Sequence, residues 1–312
     1  MQEIEVRIHW LSITVFTDIE NICEFWNKYL EKDLGMLDDT GGGWRGFRHR
    51  MDGLAGSKIC YFPIRNSSKK EYVHLIFPGS ACDSLDPETI RDTYNFLSRT
   101  LDTNVTRLDV AFDHVPFEPD DIFQALSNGD VRSLAKRDSI EIIDEPYMPQ
   151  KRGVKIGCKT VYFGSRSSGR FLRVYNQRGF TRLEIEYKKE RANAICKNVL
   201  VHLTEYWPEL MIEHLLDFVD LVENGKGERL EFWESFIQGR KRAGLKISDA
   251  RNVDLNKTLE RIESQVSAGL SVVNDVLGEK TIDAIIEEGR RKRGKRYISL
   301  LDTDISEMGG DR

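Results

Sequence analysis

Cysteine is sparse in this chain and badly placed for pairing. Five occur among 312 residues, at Cys23, Cys60, Cys82, Cys158 and Cys196, with no C-x-x-C pair. An odd count at such wide spacing argues against a disulfide framework or structural zinc site and for a reducing cytoplasm. Cys82 and Cys158 read as buried structural thiols. No apolar run approaches the roughly 20 residues that a membrane-spanning helix needs. The opening MQEIEVRIHW lacks the basic-then-apolar order of a secretory leader. DTGGGWRGF at 39–47 has glycines but not the G-x-G-x-x-G spacing, which excludes a dinucleotide fingerprint. A basic excess is missing as well. The net charge of −5 counts mildly against nucleic acid, although GRKRAGLK (239–246) and GRRKRGKR (289–296) are local basic patches. Those patches read equally as solvated helix ends.

What is present suits a folded protein: 40% hydrophobic and 31% charged residues allow one large core or two smaller ones. Strands are predicted at 4–16, 44–51, 57–64, 71–78, 105–113, 159–165, 170–176 and 181–188. Helices are predicted at 18–30 with Asp18 as N-cap, at 84–101 with Pro87 in its first turn, at 119–130, and from about 189. Beyond residue 204 the pattern is amphipathic and helical, at 208–224, 227–239 and 252–278, then 279–296 ending in basic residues. The order implies an α+β fold, an antiparallel sheet with helices on one face, followed by an all-helical C-terminal domain. The expected division is 1–204, 205–300 and a loose tail at 301–312.

Side chains alternate along a strand, so three strands divide in the same way. TRLDVAFD puts Arg107, Asp109, Ala111 and Asp113 on one face, opposite Leu108, Val110 and Phe112. RFLRVYN puts Arg173 and Tyr175 opposite Leu172 and Val174. TRLEIEYK puts Arg182, Glu184 and Glu186 opposite Leu183, Ile185 and Tyr187. A solvated sheet face is normally polar, but Asp is depleted in strands, and two acids sharing a face repel unless a cation lies between them. The pattern fits a site for a hard cation, Mg²⁺ or Mn²⁺, and a phosphate; separate surface salt bridges are the competing reading. With a cation in place, Tyr175 can attack a phosphodiester while arginines offset the developing charge. The loop FGSRSSGR (163–170), with Ser165, Arg166 and Arg170, can cradle a phosphate through its backbone, or simply join two strands. Trp44, Phe47 and Tyr162 are aromatics among basic residues that can stack on bases, or fill the core. His9 and His74 read as satisfied strand residues.

TRLDVAFD, VYFGSRSSGRFLRVYNQ and TRLEIEYKKE, in this order, resemble the replication initiation factor (Rep_trans) family of rolling-circle initiators of plasmids and filamentous phages, related to some conjugative relaxases. HWLSITVF, VHLIFPGSACD and the helical segments after residue 230 extend the resemblance over most of 5–296. It implies a metal-dependent, site-specific DNA nickase related to the HUH endonucleases, with a five-stranded antiparallel core. A single tyrosine, here Tyr175, would cut one origin strand, hold the 5′ phosphate and leave a 3′ hydroxyl for a polymerase. The implied metal acids fall on Asp109 and Glu184, then Asp113 and Glu186. Arg173 and Arg182 would assist the reaction, with Arg107, Ser165, Arg166, Arg170 and Arg178 on DNA. Origin DNA, a host helicase and polymerase, and a second copy of the chain are the implied partners. The chain departs from the family in two ways: it has no His-hydrophobe-His triplet, and Gln177 stands where lysine is usual, with Arg178 as a substitute. A relaxase with the same chemistry and a non-catalytic DNA-binding regulator are the alternatives.

Overall fold

The computed structural model describes residues 5–64, 70–135, 139–144, 148–150, 153–155, 159–177, 179–243, 259 and 262–292. Arg178, Cys158, the 301–312 tail and the ends of both basic clusters (244–246 and 293–296) lie outside them. The chain divides into two compact units, Met1–Lys246 and Ile247–Arg312, so the boundary expected near residue 204 lies within the first.

The first unit is built on a ten-stranded sheet. Its strands are β1 (Glu5–Val15), β2 (Asp38–Asp39), β3 (Phe47–Asp52), β4 (Lys58–Pro63), β5 (Val73–Phe77), β6 (Thr103–Asp113), β7 (Ile140–Asp144), β8 (Lys159–Phe163), β9 (Arg170–Gln177) and β10 (Phe180–Lys188). Their order is β2-β3-β4-β5-β1-β6-β10-β9-β8-β7, and every neighbouring pair is antiparallel. This bears out an α+β fold on an antiparallel sheet, twice as wide as the five-stranded core implied by resemblance. β2 and β7 are the strands of this sheet that the pattern did not signal.

The helices form where caps and apolar spacing predict. α1 (Ile19–Tyr29) starts at Asp18, whose carboxylate accepts from the Asn21 amide at 2.8 Å. α2 (Gly79–Ser84) is a short turn after β5, and α3 (Pro87–Thr100) is capped by Asp86, which accepts from the Thr89 amide. α4 (Pro119–Asn128), α5 (Glu190–Ile195), α6 (Trp207–Leu216) and α7 (Glu231–Ile237) follow. The expected helix at 208–224 stops at Leu216. Val219–Asp220 pairs with Arg132–Ser133 instead, so that buried Asp217 and Asp220 can reach arginine partners. Continuing the helix would strand those carboxylates without counter-charges.

Leu108, Val110, Phe112, Leu172, Val174, Leu183, Ile185 and Tyr187 are all buried in one apolar cluster. They share it with Ile195 of α5, Ile212 of α6 and Phe236 of α7, whose ring meets Phe112 edge-on at 5.6 Å. The second unit contains α8 (Ser267–Leu277) and α9 (Glu279–Arg291), separated at Gly278, where φ is +81°. That left-handed conformation suits glycine and ends α8. Among the described residues, no helix is long and apolar enough to cross a membrane.

Candidate functional site

The opposite sheet face gathers the charged residues. The hairpin β9–β10 sets Arg173 across from Glu184, Tyr175 across from Arg182, and Phe171 across from Glu186. β6 then sets Asp113 beside Arg182, Ala111 beside Glu184, and Asp109 beside Glu186. β1 adds Arg7 beside Ala111 and Trp10 beside Asp109. The sequence therefore places all four acids correctly on one face, but the acids themselves are not solvated. Asp109, Asp113, Glu184 and Glu186 are each at most 5% exposed. Carboxylates that deep must be paired or neutralised, since burying an ion costs several kcal/mol.

Each is paired. Arg182 holds Asp113 with two hydrogen bonds, at 2.5 and 2.8 Å, and Arg7 adds a contact at 3.0 Å. Arg107 grips Asp109 at 2.8 and 2.6 Å and reaches Glu186 at 3.3 Å; Lys188 completes the Glu186 pair. Glu184 is the hub. Arg173 donates to both its oxygens, through Nε at 3.0 Å and through Nη2. The Tyr175 hydroxyl donates to its Oε2 at 2.9 Å.

His9 is the site residue that sequence reasoning missed. Its Nδ1 lies 3.2 Å from Glu184 Oε1, and its Nε2 lies 3.1 Å from Arg182 Nη1. A guanidinium only donates, so Nε2 accepts and Nδ1 carries the hydrogen given to Glu184. A register shift between Ile8 and Trp10 makes His9 an extra residue in β1. Such a bulge breaks strict alternation and re-aims a side chain. Between His9 and Glu184, β6 presents only the methyl of Ala111. On the other side, a Cβ at Gly79 would lie 2.7 Å from His9 Nε2, so glycine there leaves room for the ring. His9, read from the sequence as a satisfied strand residue, lies in the site, while His74 is on β5, hydrogen-bonded to Thr14 at 3.0 Å.

The environment pulls the titrations apart. Burial pushes the Tyr175 phenol up to about 12, reinforced by the Glu184 charge it faces. Burial also acts to raise Glu184, but hydrogen bonds from His9 and Arg173 outweigh it and hold the carboxyl at about 2. Asp109 is pushed up to about 6, because burial and the neighbouring Glu186 and Glu184 charges exceed what Arg107 returns. In this arrangement Tyr175 is a protonated phenol held by a weakly basic carboxylate.

The expected DNA contacts scatter more. Arg107 is in the cluster. Arg166 is exposed and lies over the Phe171 ring at 5.0 Å, next to Tyr162, which stacks on Phe171 at 5.4 Å. Ser165 is exposed, its hydroxyl 2.9 Å from that of Ser167. Arg170 is on the helix-covered face instead, buried against Phe218 and paired with Asp217 at 2.7 Å. Its alternation with Leu172 and Val174 already signals that side. Gln177 ends β9, opposite Phe180 across the turn.

The four acids do not fit a hard cation as they stand. Among the described residues, no group of three or more His, Cys, Asp or Glu is placed to hold a metal ion. The carboxylates face Arg7, Arg107, Arg173, Arg182 and Lys188, and a cation would have to displace one of these groups.

Comparison with known families matches the model of the replication initiation factor family over residues 103–287. That range includes β6, β9, β10 and every cluster residue except those on β1. Among solved structures, the chain is similar to the rolling circle replication initiator protein from Geobacillus stearothermophilus. The TM-score is 0.60 at 17% identity, covering 78% of this chain and 99% of that one. Comparison with curated proteins finds no match.

Proposed function

The chain belongs to the replication initiation factor family, and from that premise we propose that it starts rolling-circle replication by nicking origin DNA with Tyr175. The observation that carries this reading is the tyrosine's setting. Its hydroxyl is hydrogen-bonded to Glu184, opposite Arg182 and beside Arg173. Tyr175 Oη attacks the scissile phosphorus and the P–O3′ bond breaks. The phenol gives up its proton, the departing O3′ takes one, and a 5′-phosphotyrosine and a free 3′ hydroxyl remain. The reverse reaction rejoins the strand.

Arg173 and Arg182 are the groups that stabilise the charge developing on the phosphoryl oxygens. Both are pledged to Glu184 and Asp113 without DNA, so an entering phosphate competes with those carboxylates for them. Loosening Arg173 raises the basicity of Glu184, the group that already accepts the Tyr175 hydrogen. Arg107 and Arg166 lie on the same face and suit the DNA backbone on either side. Asp109, Asp113, Glu184 and Glu186 hold these cations in place. Mg²⁺ or Mn²⁺ is an expectation of the reaction class. Origin DNA, a polymerase extending the 3′ hydroxyl, a helicase and a second copy of the chain are the partners it entails.

The test is incubation of the full chain with single-stranded origin DNA and Mn²⁺, followed by a denaturing gel. A protein–DNA adduct is expected from wild type and not from Tyr175→Phe. No adduct on any candidate origin sinks the reading, and an adduct from Tyr175→Phe shifts the chemistry to another residue.

A further inference from the structure

The charged face continues past Arg107 into a recess of about 400 Å³ between β1, β5 and the turn before β3. Trp10, Trp44, Phe47 and Tyr72 line it, and none of them belongs to the hydrophobic core. Each remains partly exposed. Four large rings held around a cavity forgo burial that they would gain in the core. The rings are also ordered. Phe47 stacks on His74 at 5.9 Å with planes 10° apart and meets Tyr72 edge-on at 5.8 Å.

Two arginines sit over two of these rings: Arg45 over Trp44 and Arg107 over Trp10, each at 4.3 Å. Arg45 occupies a tight turn closed by paired hydrogen bonds between Trp44 and Phe47, at 3.1 and 3.0 Å. Its φ is +44° and that of Gly46 is +94°. Such a turn requires positive φ at both central residues, and arginine is a strained choice at the first. The strain holds a guanidinium at the mouth of the recess. Among the described residues no acid lines the cavity; Ser12, Thr14 and Thr106 bring hydroxyls, and His74 brings an imidazole. Burial, with Arg45 nearby, holds His74 down at about 4, so this ring is a neutral hydrogen-bonding group at ordinary pH.

We propose that this recess is a nucleobase subsite, in which a base of single-stranded DNA stacks on Trp44 and Phe47 while Arg45 and Arg107 take the flanking phosphates. The proposal rests on the nicking reading above and deepens it. Arg107 joins the two places: one guanidinium touches Trp10, Asp109 and Glu186. The strand order puts β1 three strands from β9, a lateral span of roughly 15 Å. The recess also lies five to seven residues further along the strands than Tyr175, which is level with Glu5, so a strand whose scissile phosphate lies at Tyr175 reaches the recess several nucleotides away. The hydroxyls and His74 offer donors and acceptors to the edge of the stacked base, which gives this subsite a means to favour one base over another.

The test uses the full chain and a fluorescein-labelled oligothymidylate, with binding read by anisotropy at fixed salt. Trp44→Ala and Phe47→Ala are each expected to weaken binding roughly 5- to 150-fold, the range for losing one stacked base. Trp44→Phe, which keeps a ring, is expected to stay within a few-fold of wild type and serves if the alanine variant unfolds. Iododeoxyuridine placed singly along the oligonucleotide is expected to cross-link to Trp44 at one position. Wild-type affinity in folded Trp44→Ala and Phe47→Ala, or cross-links that avoid the recess, overturns the subsite while adduct formation through Tyr175 stands. Failure of wild type to bind any single strand overturns both readings.

Discussion

Leu172 and Arg173 are consecutive on β9, yet the two sheet faces they serve are held together by different physics. On the Leu172 side, stability comes from apolar area removed from water, and helices α5, α6 and α7 supply the cover. On the Arg173 side, four carboxylates, each at most 5% exposed, are held by basic groups. The first arrangement has one good packing and little reason to change. The second exchanges partners readily, because a phosphate can replace a carboxylate as the acceptor of an arginine. A site that must admit a polyanion belongs on the second face.

The sharpest way to break this comparison is to exchange one atom on the charged face. Tyr175→Phe removes only the hydroxyl. Adduct formation is expected to fall by more than about a thousandfold, as when an essential nucleophile is lost. The thermal midpoint should hardly move, because the lost hydrogen bond leaves Glu184 with Arg173 and His9. A residual adduct above a hundredth of wild type would sever Tyr175 from the chemistry.

Two stability measurements come next. Asp113→Ala leaves Arg182 buried without its bidentate partner and should cost about 3–5 kcal/mol in denaturant unfolding. Leu172→Ala on the opposite face should cost about 2–5 kcal/mol through the cavity it opens. The two differ in their response to salt. Added salt should change the Asp113→Ala deficit and leave the Leu172→Ala deficit alone. Equal salt responses would erase the distinction between the faces.

A smaller effect comes from pH. Asp109 has a folded value raised from 3.8 to about 6. The folded state therefore binds its proton more tightly between those values, and this group's contribution is full at low pH and lost as pH rises through about 6. Glu184 has the opposite sign, with a value lowered from 4.5 to about 2, so its contribution is present above 4.5 and lost as pH falls through 2. Between pH 4.5 and 7 Asp109 lowers stability by at most about 3 kcal/mol, against a gain from His74 and His214, whose values are lowered by burial, that wild type and an Asp109 variant share. Unfolding of the metal-free protein at these two pH values, compared with Asp109→Asn, isolates it. The variant should lack the decline, and a parallel decline would mean that Asp109 is not the group responsible.

The face that carries the site was legible in the sequence because three strands repeat one alternation without error. Arg107, Asp109, Asp113, Arg173, Tyr175, Arg182, Glu184 and Glu186 all lie on the predicted side. Burial of that side was not legible, since alternation says which residues share a face and not what covers it. Arg170 was misread through its loop, although its own parity with Leu172 gave the answer. The recess depends on which rings meet across β1, β5 and the Trp44 turn, and such non-local pairings leave no periodic trace. The stop at Leu216 was hidden for a similar reason: the partners of Asp217 and Asp220 are distant in sequence.

His9 is the most instructive omission, and it carries the smallest expected effect. Counting by twos along HWLSITV puts His9 with Leu11, on the apolar face; the bulge at Ile8–Trp10 turns it over. Its ring bridges Arg182 and Glu184, so it fixes the acceptor of the Tyr175 hydrogen without touching the reacting atoms itself. A positioning group of this kind is expected to matter roughly 10-fold when removed, the scale of a modest misalignment. His9→Ala should slow adduct formation by that factor with unchanged DNA affinity. His9→Gln, which can still donate to Glu184, should recover most of the rate. Equal defects in both variants would assign His9 to packing beside Gly79, and the two faces of the sheet would then differ by one functional residue fewer.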